Sequence, residues 1–79
     1  MARNGRDYAV NYRDAARKLS KLGCREITRR GGGSHRKWMN PANDKQTVVP
    51  DWGSTDLKQG TIRAIVRQLG LDWDEFTRI

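Results

Sequence analysis

Hydrophobic positions in this chain switch between two spacings, and the switches mark out its elements. Tyr12, Ala16 and Leu19 recur at helical intervals behind Asn11, a residue type that caps helix N-termini, with Asp14 three positions on. Gly23 is placed to stop that helix, whose other face carries Arg17, Lys18 and Lys21. Residues 24 to 30 alternate poorly but contain Ile27 and Thr28, and the glycines at 31 to 33 join them to a second strand running from Ser34 to Met39. Asn40 to Asp44 are turn formers. Thr47, Val48 and Val49 give a short third strand, ended by Pro50, which has no N–H to donate to a ladder. The clearest element follows: Ile62, Ile65, Val66 and Leu69 keep the i, i+3, i+4, i+7 pattern, with Gly70 and Leu71 as its C-terminal cap and apolar closure. Asp72 and Glu75 stand at capping-box spacing before a last short helix that returns Trp73 and Phe76 to the core.

The order predicted is α-β-β-β-α with a short C-terminal helix, an α+β fold. A three-stranded antiparallel sheet with both main helices on one face leaves the other face open, as in small double-stranded-RNA-binding domains. Trp38, three residues after His35, points opposite to it and toward the helices. Residues 1–9 are polar, contain Gly5 and are expected to fray. Residues 10–79 form a single domain with one thin core, so any chemistry takes place on an open surface. The one cysteine, Cys24, has no partner for an internal disulfide and reads as a small buried apolar residue, which fits a reducing compartment. No apolar run reaches the roughly 18 residues of a membrane span, and the N-terminus has no signal-peptide stretch. The expectation is a cytoplasmic protein, monomeric when free, without a membrane contact or cofactor.

Charge changes the picture by its placement. Between Arg13 and Lys37 stand nine basic residues against two acids, Asp14 and Glu26, whereas from Trp38 onward five basic residues face six acids. The surplus is therefore a patch, and a phosphate backbone is its natural partner. An anionic membrane is the poorer fit, because the basic stretch lacks an amphipathic helix with Trp or Phe on its apolar side. An acidic partner protein is compatible with a nucleic acid rather than exclusive of it.

Within the patch lies the only histidine, His35, directly after Gly31, Gly32, Gly33 and Ser34 and flanked by Arg29, Arg30, Arg36 and Lys37. Imidazole exchanges protons readily near neutral pH, and the cations around it attract phosphate. Two readings stand side by side: a phosphate-directed acid/base site, and a hairpin turn followed by a polar strand residue. Lys37, two residues on, shares the face of His35 on a regular strand. Arg29, Arg30 and Arg36 are candidates for holding flanking phosphates. Gly33 permits close approach of an RNA backbone, and Ser34 orients the turn. Trp52, in a loop beside Asp51, offers a ring for stacking on a base or a partner surface. Asp51 and Asp56 are too few and too scattered for a two-metal nuclease site, and no metal is expected.

Leu22 with Gly23, the Gly33–Ser34–His35 triplet, Val49 with Pro50, the run Asp56–Leu57–Lys58–Gln59–Gly60–Thr61 and the run Gln68–Leu69–Gly70–Leu71 together resemble the HicA family over about residues 10 to 77. The resemblance implies an mRNA-cleaving toxin of a type II toxin–antitoxin system, a double-stranded-RNA-binding-domain-like fold and neutralisation by a HicB-type antitoxin. It places the family's catalytic histidine at His35. Many members carry a second histidine shortly after the valine-proline pair, where this chain has Asp51, Trp52 and Gly53, so here catalysis rests on His35. The expected function is a metal-independent endoribonuclease acting on mRNA. His35 is its general base and Lys37 stabilises the phosphorane; Arg29, Arg30, Gly33, Ser34 and Arg36 contact the RNA. The alternative is a small RNA-binding module without catalysis, using the same patch and fold.

Overall fold

The computed structural model describes residues 9–29 and 33–79. Helix α1 spans Tyr12–Lys21, and its start is the capped one expected: Asn11 Oδ1 accepts from the Asp14 N–H at 3.0 Å. Its end closes with two hydrogen bonds, Cys24 N–H to the Leu19 carbonyl and Gly23 N–H to that of Ser20, both 3.0 Å. Helix α2, Gln59–Gln68, ends the same way through Leu71 N–H to Val66 and Gly70 N–H to Arg67. Gly70 has φ +67°, and a Cβ there would stand 2.6 Å from Asn43 Nδ2, so both backbone and space call for glycine. Helix α3, Trp73–Arg78, is capped by Asp72, whose carboxylate accepts from the Glu75 N–H.

Strands β1 (Arg25–Glu26), β2 (His35–Asn40) and β3 (Lys45–Pro50) form an antiparallel sheet in that order. The first strand is shorter than the sequence suggests, for a local reason. Ile27 N–H still reaches the Lys37 carbonyl at 2.7 Å, but the Lys37 N–H is taken by the Thr28 hydroxyl at 2.7 Å, so a side chain displaces the next ladder bond. The third strand is longer than Thr47–Val49 at both ends, and Pro50 is tolerated because β3 is an edge.

Strand alternation divides the residues between two faces. Trp38 and Asn40 of β2, with Thr47 and Val49 of β3, are buried beneath the helices. Ala15 and Leu19 of α1, Ile62, Ile65 and Val66 of α2, Leu69 after it and Phe76 of α3 complete one core with Val10, Cys24 and Leu57. Buried Asn40 gives its amide to the Leu69 carbonyl at 2.9 Å, fastening the end of α2 to the β2–β3 turn. Burial pushes the Cys24 thiol above its ordinary pKa, in keeping with a packing role.

Lys18 departs from the basic helix face expected of it. It is buried, donates from Nζ to the Ile79 oxygen and lies 5.7 Å from the centroid of the Phe76 ring. Its long aliphatic stem covers core while its ammonium ties α3 to α1, a use of lysine that periodicity does not reveal.

Candidate nucleic-acid interface

The sheet face away from the helices carries His35, Lys37 and Met39 of β2, opposite Pro50, Val48 and Gln46 of β3. His35 and Lys37 are both exposed and two residues apart, hence on one face at about 6.7 Å along the strand. Among the described residues the His35 side chain makes no hydrogen bond, leaving its ring nitrogens open to a ligand. Gly33, with φ +56°, turns the chain into β2, and a Cβ at that position would meet nothing within 4 Å. Ser34 is held by its backbone: its carbonyl accepts from the Asp51 N–H at 2.7 Å, which extends the β2–β3 pairing one step past His35 and Pro50.

Arg36 is on the opposite side of β2. Its guanidinium lies 3.4 Å from Glu26 Oε2 through Nη1 and 3.7 Å from Asp51 Oδ2 through Nε. Each pair is partly exposed and contributes at most about 1 kcal/mol. Together they bridge β1, β2 and the segment after β3. The network continues inward, since Trp38 Nε1–H donates to Tyr12 Oη at 3.1 Å and Tyr12 Oη–H donates to Glu26 Oε1 at 3.5 Å. Burial raises the Tyr12 pKa, partly offset by the Trp38 hydrogen bond, so the phenol keeps the proton this relay needs. Asp51 also accepts from the Gly53 N–H at 3.0 Å and thereby shapes the loop that presents Trp52.

The structure thus brings His35, Lys37, Ser34 and Gly33 together at one end of β2, while Arg36 faces the carboxylates of Glu26 and Asp51. Arg29 is exposed beyond β1. Arg30 falls outside the described residues, as do Gly31, Gly32 and residues 1–8. Asp51 is the member that sequence reading passed over as a scattered acid; its register two residues past Val49 was the available sign. Among the described residues no group of three or more His, Cys, Asp or Glu is placed to hold a metal. No described helix is long and apolar enough to cross a membrane.

An α+β fold with a helix-backed antiparallel sheet and a cationic open face is thus the frame for His35. The model of the HicA toxin family of bacterial toxin–antitoxin systems matches residues 12–71, and the chain belongs to that family. The match covers both main helices and all three strands. No curated protein matches the chain.

Proposed function

We propose that this toxin is an endoribonuclease that cleaves mRNA without a metal ion, with His35 as its general base. The observation that carries this reading is the placement of the one imidazole on the open face beside Lys37, exposed and without a protein partner among the described residues. Attack of a ribose 2′-oxygen on the adjacent phosphorus needs a base for the hydroxyl proton and a cation for the charge that develops on the non-bridging oxygens. His35 takes the proton. Lys37, on the same face, stabilises the phosphorane. The 5′-oxygen then leaves with a proton drawn from solvent, which reaches this surface freely, and the imidazolium returns its proton to solvent. Gly33 and Ser34 give the backbone room and fixed direction at the cut site, and Arg29 and Arg30 hold flanking phosphates. Arg36 contributes to the local field, but the pairs to Glu26 and Asp51 compete with any phosphate for its guanidinium.

A toxin of this kind acts in the cytoplasm and is held by an antitoxin, here a HicB-type protein that is acidic where this chain is basic. Among the described residues Val48, opposite Lys37, and Trp52 are the exposed large apolar side chains, and they supply the apolar part of that contact next to His35. Charge sets the rate of association, and burial of these two side chains sets its lifetime.

Expression of the chain alone tests the activity. Growth stops and transcripts fragment, and co-expression of the antitoxin restores both. Continued growth with intact transcripts would leave the non-catalytic RNA-binding module as the better account.

A further inference from the structure

We infer that the exposed row Arg13, Arg17 and Lys21 on α1 is a second RNA-backbone site, holding phosphates that flank the segment presented to His35. The inference rests on the ribonuclease reading and adds to it where the strand runs.

The three cations recur at i, i+4 and i+8, each about 6 Å further along the helix axis. Like charges at this spacing destabilise a helix by about 0.2–0.5 kcal/mol per pair. The row contains two such pairs. Among the described residues the ion pairs of Arg36 with Glu26 and Asp51 include none of the three; only the helix dipole at Lys21 and the single acid Asp14 on α1 offset part of this repulsion. Lys18, on the same helix, shows what a structural cation looks like here, buried against Phe76 and hydrogen-bonded to Ile79. Arg13, Arg17 and Lys21 are exposed instead. A helix that keeps an exposed row of cations without ion-pair partners is arranged for a polyanion that arrives from outside.

The row also lies where a strand leaving the active face would pass. Tyr12 reaches from α1 to Glu26 of β1, and Lys18 reaches from the other flank of the helix to α3. Arg13 stands about 100° round the helix from Tyr12, Arg17 about 140° and Lys21 about 180°, which sets the row on the outward side of α1 with Arg13 nearest the β1 flank. β1 is a sheet edge only two residues long. Arg25, exposed on β1 and opposite Met39, carries positive charge round that edge onto the face of Lys37 and His35. The cations therefore form a path from α1 over the β1 edge to the histidine. Among the described residues no exposed large apolar side chain lies on α1, whereas Val48 and Trp52 belong to the opposite, β3 side. Protein interfaces are anchored by such apolar residues and nucleic-acid tracks are not, so the β1 side fits RNA and the β3 side fits a protein partner.

The test uses the full chain carrying His35→Ala, so that a short unstructured RNA stays intact while its affinity is measured over a salt series. Adding Arg13→Gln, Arg17→Gln and Lys21→Gln flattens the log–log salt dependence by about 2, three contacts at roughly 0.7 each. Affinity at low salt falls more than tenfold, and the thermal midpoint stays level or rises as the repulsion is relieved. Lysine at positions 13 and 17, with Lys21 kept, restores the slope, because the contact is to charge. An unchanged slope and affinity overturn the inference, and so does loss of binding only to an acidic protein. An unmodified chain that left the same RNA intact would sink the ribonuclease reading, and a His35→Ala chain that still cut it would sink His35 as the base, while the slope would still decide the row.

Discussion

Replacing His35 with alanine lowers the rate of RNA cleavage by about two to four orders of magnitude, the range expected when a general base is removed. Affinity for RNA changes little, because backbone contacts come from cations and not from the imidazole. The circular dichroism spectrum and thermal midpoint are also unchanged, since His35 is exposed and touches no described side chain through a hydrogen bond. Lys37→Gln, measured beside it, lowers kcat by a smaller factor and also weakens binding, as fits a charge that meets the phosphate both before and during reaction. Single-turnover cleavage and equilibrium binding on the same RNA separate these effects. Equal loss of binding and cleavage in His35→Ala would make the histidine a contact and not a base.

Phe76→Ala costs about 3–5 kcal/mol of stability, enough to bring a domain of this size close to its unfolding midpoint at room temperature. Phe76 is fully buried although it sits on α3, a helix of six residues that has no stability of its own. Its ring stacks with Trp73 at 6.0 Å between centroids, and Trp73 in turn lies under the Arg63 guanidinium at 4.3 Å. Lys18 holds the same helix from the side of α1. The matched family residues end at 71, yet the core does not: α3 fills the space between α1 and α2. Urea denaturation followed by far-ultraviolet circular dichroism checks this, and a loss below about 1 kcal/mol would mean that α3 is a dispensable appendage.

Elements with local signatures were legible in the sequence. Asn11 before α1, the Ile62–Leu69 stripe, Gly70 with Leu71, and the Asp72–Glu75 pair each state their structure within a few residues, and the fold class followed from their order. The opposition of Trp38 and His35 was legible too, because strand alternation allows no other outcome for residues three apart. Two features depended on contacts distant in sequence. Lys18 looks like any solvated helix cation until Phe76 and Ile79 arrive from the far end of the chain. The early end of β1 comes from Thr28 competing for the Lys37 N–H, a choice that propensity does not record. At the candidate site, the clustering of His35 and Lys37 follows from spacing alone, while the pairing of Arg36 with Glu26 and Asp51 needed the register of three strands and the loop after β3.

The chemistry of the cut ends tests the central claim most directly. Purified protein incubated with RNA in the presence of EDTA produces fragments ending in a 2′,3′-cyclic phosphate or the 3′-phosphate it opens to, each with a 5′-hydroxyl on the downstream piece, and His35→Ala produces neither. Fragments with 3′-hydroxyl ends, or activity lost on chelation and restored by a divalent cation, would contradict a histidine-based, metal-independent cleavage.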